Sequence, residues 1–184
     1  MKRLLILSVL LLLVLAGRAQ KAALLDTLVV QHIDFQGKTQ QGTLICNKSI
    51  SNDLRQIFAE LYRQRYPIER IRPISKYGND DERSMQANNT SCYCYRPIAG
   101  SKKLSKHAQG LAIDINPLYN PCVRRRKDGT LLIQPSTARP YTNRTRSFNY
   151  KITKNDLCYR LFTQHGFRWG GNWRTLKDYQ HFEK

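Results

Sequence analysis

The segment that most limits how this chain can fold is Ser105-Lys106-His107-Ala108-Gln109-Gly110-Leu111-Ala112-Ile113-Asp114. Ala112 to Ile115 reads as a buried strand closed by the Asn116-Pro117 turn signal. Asp114 follows His107 by seven residues, and on one uninterrupted strand an odd separation puts two side chains on opposite faces. For the imidazole and the carboxylate to meet, His107 must stand in a turn ahead of the strand. Gly110 is the residue that lets the backbone bend there. Both groups are ordinary zinc ligands. Taken alone, the segment is equally a metal half-site or a surface His followed by an Asp that ends a strand.

The C-terminal stretch Asp178-Tyr179-Gln180-His181-Phe182 adds a second His with a carboxylate three residues before it. A catalytic zinc takes three protein ligands and keeps an open position. His107, Asp114 and His181 fill that count, which leaves Asp178 as an unligated base.

The pattern Ser-x-His-x-x-Gly-x-Ala-x-Asp, followed far downstream by Asp-x-x-His, resembles the zinc D-alanyl-D-alanine carboxypeptidases and their relatives. Those relatives include the vancomycin-resistance dipeptidases and the L-alanyl-D-glutamate endopeptidases of phage endolysins. Trp169-Gly170-Gly171-Asn172-Trp173 is similar to the endolysin-type branch, and the resemblance runs from about Asn47 to the C-terminus. It implies the hedgehog/D,D-peptidase fold, a Zn²⁺ cofactor on His107, Asp114 and His181, and an arginine upstream of the first His that grips the substrate. Arg96 is the candidate, since a guanidinium fork meets two oxygens at once. Two positions depart from the family pattern: Cys94 stands where an Asn is usual, and Asn172 where an Asp is frequent. Where that Asp would orient a zinc ligand, Asn can still accept a hydrogen bond but brings no charge.

Met1-Lys2-Arg3, the apolar run Leu4 to Leu15 and Gly17-Arg18-Ala19 have the form of a cleaved signal peptide over residues 1–19. The apolar run is too short for a comfortable membrane span; an uncleaved anchor is the alternative reading. Residues 20–184 then form the zinc peptidase domain, exported to the periplasm or secreted, with no stable membrane span after cleavage. The formal charge of +18 becomes +15 without the leader. Such a charge attracts polyanions. Nucleic acid is not expected outside the cell, so anionic cell-wall or envelope polymers suit the compartment better; peptidoglycan peptides are the partners the resemblance implies. Five cysteines, Cys46, Cys92, Cys94, Cys122 and Cys158, leave at least one unpaired. They read best as small core residues, with room for one bridge.

The remaining pattern predicts one α+β domain, an antiparallel sheet with packed helices. A strand is expected over Leu28–Phe35, continued at Thr43–Cys46, then a helix from about Ser51 to Arg65 with Leu54, Ile57, Phe58, Leu61 and Tyr62 on one face. Ile68–Ile74 reads as extended, Asn79–Ser91 as a polar loop, and Ser91–Ile98 as a strand carrying Arg96. Arg124-Arg125-Arg126-Lys127 before Asp128-Gly129 marks a hairpin tip, with Leu131–Ile133 a short strand and Pro135–Ser147 irregular. A second helix is capped by Thr153, has Asp156 at its third position and ends at Gly166. His165 falls in its last turn and His32 in the first strand; neither has a ligand pattern. Trp169 and Trp173 belong either to a glycopeptide cleft or to the core. The expected function is zinc-dependent hydrolysis of a peptide bond in the stem peptide or cross-bridge of peptidoglycan, of D,D-carboxypeptidase or L,D-endopeptidase type. The alternative is a non-catalytic cell-wall or polyanion-binding module with a residual zinc site.

Overall fold

A computed structural model describes residues 24–98 and 101–184; the expected signal peptide lies outside the described residues. The chain opens with a hairpin of β1 (Leu25–Ile33) and β2 (Thr39–Asn47), paired antiparallel from Leu25 opposite Asn47 to Ile33 opposite Thr39. The first strand stops earlier than expected because Asp34 bends the chain. Its Oδ1 accepts the backbone N–H groups of Gln36 and Lys38, both at 2.9 Å, and so removes Phe35 from the ladder.

Helix α1 (Lys48–Arg63) follows directly. Its start, three residues before the expected one, is set by Asn47, whose Oδ1 accepts the Ser49 N–H at 3.0 Å. Its end is a Schellman turn ahead of Pro67: Tyr66 N–H donates to Leu61 O, Arg65 N–H to Tyr62 O, and Arg65 takes φ 54°. Ile50, Leu54, Ile57, Phe58 and Leu61 form the buried face, which packs on the hairpin.

The stretch 68–98 departs most from expectation. Only Arg70–Ile71 (β3) is strand within 68–74, and it pairs parallel with β4 (Asn89–Thr90). The expected polar loop contains a short helix, α2 (Asp81–Gln86), capped by Asp80, whose side chain accepts the Arg83 N–H. Residues 91–98 are not a ladder strand. They are held by single contacts: Ser91 bridges Asp114, Tyr93 N–H donates to Ile45 O and Cys94 N–H to His107 O.

Two three-stranded antiparallel sheets carry the rest. β5 (Ala112–Asp114), β10 (His181–Glu183) and β8 (Arg168–Trp169) lie in the order β5-β10-β8. β7 (Leu131–Gln134), β6 (Cys122–Arg125) and β9 (Lys177–Asp178) lie in the order β7-β6-β9, with the basic run at the β6–β7 tip as expected. Helix α3 (Leu157–Gln164) is capped by Asp156 itself, whose Oδ1 accepts the Cys158 N–H at 2.7 Å. Thr153, the expected cap, lies in the preceding turn and its carbonyl accepts from Asp156.

The core runs between these layers. Leu28, Leu44, Leu54, Phe58, Phe162 and Phe182 are fully enclosed, and Phe162 stacks on Phe182 at 4.4 Å. Trp169 belongs to this core, its indole N–H donating to Tyr179 O at 2.9 Å. All five cysteines are buried and free. The architecture is α+β, as the sequence pattern predicts.

Candidate metal centre and cleft

The odd spacing of His107 and Asp114 is resolved as the sequence requires. His107 lies in a 3₁₀ turn, Lys106–Gln109, capped by Ser105, whose hydroxyl oxygen accepts the His107 N–H at 3.0 Å. Gly110 then takes φ 70°. A Cβ there would stand 2.6 Å from the backbone N of Asn47, so both the dihedral and the close approach to the end of β2 require glycine. β5 delivers Asp114, and the register of β10 puts His181 directly opposite it.

Three donor atoms converge. His107 Nε2 is 3.1 Å from His181 Nδ1 and 3.3 Å from Asp114 Oδ1, and His181 Nδ1 is 3.2 Å from the same oxygen. The outer ring nitrogens decide the tautomers. His107 Nδ1 faces the carbonyl of Cys92 at 2.6 Å and His181 Nε2 faces a Glu183 carboxylate oxygen at 3.4 Å. Both partners only accept, so the outer nitrogens carry protons and the inner ones are left to face a cation or a further proton. Two lone pairs and a carboxylate oxygen in a buried triangle repel one another unless a proton or a cation sits among them. Tetrahedral coordination with bonds of about 2.0–2.1 Å requires ligand atoms about 3.3 Å apart. The triangle has those edges. Among the described residues this is the one group of His, Cys, Asp and Glu side chains close enough to hold a metal ion. Burial alone would raise the Asp114 carboxyl; the two histidines override it and hold it well below the ordinary range. Burial likewise works to lower His181, yet the hydrogen bonds with Asp114 and Glu183 and the charges of Asp114 and Asp178 raise it to about 10.

The triangle forms part of the wall of a cavity of about 350 Å³ that also contains Asp81, Arg96, Trp173 and Asp178. Asp178 arrives on β9, opposite Cys122 of β6. Its Oδ1 is inaccessible to solvent and meets no hydrogen-bond donor. Burial, helped by the Asp114 charge and opposed by His181 and His107, raises the carboxyl to about 6. Gly170 is glycine for this neighbour's sake: a Cβ there would lie 2.6 Å from Asp178 O. Arg96 also reaches the cavity. Its Nε stands 2.6 Å from Asp81 Oδ2, a close charge pair in which the N–H is not aimed along a hydrogen bond. Burial raises the Asp81 carboxyl above its ordinary value, although Arg96 opposes the shift. Lys103, Lys106, Arg124 and Arg168 line the same cavity and make its rim basic.

The structure therefore gathers all five sequence-derived site residues, His107, Asp114, His181, Asp178 and Arg96, around one cavity. His165 and His32 lie elsewhere: His165 Nδ1 meets Asp53 at 3.1 Å and His32 Nδ1 meets Ile68 O at 2.7 Å. Asn172 is exposed, so the polar surroundings of the triangle come from Cys92 O and Glu183 instead. Asp81 and Glu183 escaped the sequence reading. Asp81 could have been found from the Asp80 cap that starts its helix, Glu183 from its i+2 spacing after His181.

The family comparison adds to this geometry. Residues 99–184 match the family model of D-alanyl-D-alanine carboxypeptidase. This is the family the two motifs resemble. The matched segment, a little under half of the chain, holds His107, Asp114, Asp178 and His181 and excludes Arg96 and Asp81. No curated protein and no solved structure gave a significant match.

Proposed function

We propose that this protein is a zinc-dependent peptidase that hydrolyses a peptide bond in the stem peptide or cross-bridge of peptidoglycan, as a D,D-carboxypeptidase or L,D-endopeptidase. The observation that carries the reading is the near-equal-edged triangle of His107, Asp114 and His181 in the wall of a cavity it shares with the Asp178 carboxyl, whose Oδ1 meets no hydrogen-bond donor. These three residues would hold the ion. When bound, zinc supplies Lewis acidity that polarises a carbonyl and lowers the pKa of water.

Asp178 takes the proton of the attacking water on its carboxylate and returns it to the leaving amine. Its strand places it beside the triangle without entering it. Arg96, with Nε turned to Asp81, offers the two terminal nitrogens of its fork to a substrate carboxylate or carbonyl. Trp173, whose ring centre is 5.2 Å from that of His181, closes one side of the cleft. The basic rim favours anionic substrates and the anionic polymers of an envelope. Residues 1–19 act as the export signal; N-terminal sequencing of the exported protein should find Gln20, and an intact Met1 would contradict cleavage.

The deciding experiment incubates purified muropeptides with the protein, reads the products by mass spectrometry, and repeats the assay after chelation and zinc repletion. A new product that disappears with chelator and returns with zinc is expected, along with about one zinc per chain. His107→Ala, Asp114→Ala and His181→Ala should each lose most of that zinc. A protein that binds muropeptides or polyanions without cutting them would be the non-catalytic module instead.

A further inference from the structure

The two histidines of the triangle are anchored unequally. The outer nitrogen of His107 rests on a main-chain carbonyl, Cys92 O at 2.6 Å, a partner fixed by the backbone. The outer nitrogen of His181 has only a side chain to reach, the Glu183 carboxylate at 3.4 Å. Glu183 lies two residues along β10, on the same face as His181. It is held in turn by Arg168 Nη2 at 2.8 Å, from the residue directly across on β8. The chain of contacts runs outward: His181 is buried, Glu183 is 14% exposed at its side chain and Arg168 is 71% exposed.

An imidazole can present either nitrogen to a cation, and the hydrogen bond made by the other one selects which. Without Glu183 no other side chain among the described residues accepts the His181 Nε2–H. The ring could then turn over, or exchange tautomers, and withdraw Nδ1 from the triangle. We propose that Glu183 is a positioning residue that fixes the tautomer and ring orientation of His181, with Arg168 holding Glu183 in place. The proposal rests on the reading that the triangle holds zinc. Partners of this kind typically contribute 10–100-fold to metal affinity.

The test measures zinc affinity of the purified protein by competition with a chromophoric chelator, together with the absorption spectrum of the cobalt(II)-loaded form. Histidine ¹⁵N chemical shifts in the zinc-loaded form report which ring nitrogen faces the metal. Glu183→Ala should weaken zinc binding by roughly 10–100-fold, alter the cobalt spectrum and shift the His181 nitrogens toward a mixture, while the metal-free protein still unfolds cooperatively. Glu183→Gln keeps an acceptor and loses the charge, so its affinity should fall between the two. Arg168→Ala should weaken binding less than Glu183→Ala. Wild-type zinc affinity and an unchanged cobalt spectrum in Glu183→Ala would overturn the positioning role while leaving the zinc site standing. If Glu183→Ala fails to fold, Glu183→Gln decides, and wild-type affinity there overturns the role. A wild-type protein that binds no zinc would overturn the metal reading, and this role with it.

Discussion

In the mechanism we propose, Asp178 is the residue at which proton transfer can be told apart from coordination. Its Oδ1 has no donor and burial raises the carboxyl to about 6, the state of a group kept available for a proton. Asp178→Asn preserves shape and removes the proton acceptor. It should keep its zinc and lose about 10²–10⁴-fold in turnover on muropeptides; near wild-type turnover with zinc retained would remove Asp178 from the role. Asp81 acts one contact further back. Asp81→Asn leaves Arg96 without its opposing charge, and roughly a tenfold rise in KM with a smaller change in kcat is expected, about 1.4 kcal/mol of substrate binding. A normal KM would show that Arg96 is oriented by something else. At this scale the sequence was informative where spacing carried the constraint. Seven residues between His107 and Asp114 demanded a turn, and the turn is there. The Asp80 cap and the i+2 spacing after His181 are local signals for Asp81 and Glu183, but the arginines that pair with them, Arg96 and Arg168, arrive by tertiary docking and strand register, which no local pattern encodes.

The turn at Gly110 joins the candidate metal centre to the first hairpin and α1. Gly110 O accepts the Asn47 N–H at 2.9 Å, and the Asn47 amide donates to Gln109 O at 3.0 Å while its oxygen caps α1. Gly110→Ala would push a methyl to 2.6 Å from the Asn47 nitrogen at a φ of 70°. A loss of at least about 1–3 kcal/mol is expected from the strained dihedral, accompanied by weaker zinc binding. Chemical denaturation and metal titration of one variant check both, and unchanged stability would mean the turn tolerates a side chain. Among the elements, α1 and the β6–β7 hairpin were legible from apolar period and turn residues. Helix α2 was not, since a six-residue polar helix has no apolar stripe and owes its existence to the Asp80 cap and its packing. Residues 91–98 alternate like a strand and bury Cys92 and Cys94 on one face, yet main-chain bonds to β2 and to the His107 turn replace a ladder. The glycine pair at 170–171 is legible only afterwards, once β9 is seen pressed against Gly170.

Across the whole molecule, Asp53 on α1 ties the C-terminal residue and the end of α3 together, with Lys184 Nζ at 2.7 Å and His165 at 3.1 Å. The Lys184 hydrogen bond leads in holding the Asp53 carboxyl below its ordinary value, against a desolvation cost. An acid held low in the fold stabilises it at every pH above the unfolded value, near 4, and the contribution vanishes as pH falls through the lowered one. Asp53→Asn should therefore cost less than about 1 kcal/mol at pH 7, because the pair is partly exposed, and the gap should close in strong acid. Thermal melts of both proteins across pH 2 to 7 measure it, and a gap that stays constant with pH would rule the charge pair out as its cause. The charge balance and the α+β class were readable before any coordinates; the closing of the two sheets was not. His181 and Asp114 stand 67 positions apart along the chain, yet face each other across one rung of β5 and β10. Contacts of such long separation carry a large loop-closure cost and form with the rest of the tertiary structure. A partly folded chain therefore has no triangle at all, and the peptidase chemistry we propose would become available only when the last strand has docked. Timing, as much as geometry, confines this chemistry to the finished protein.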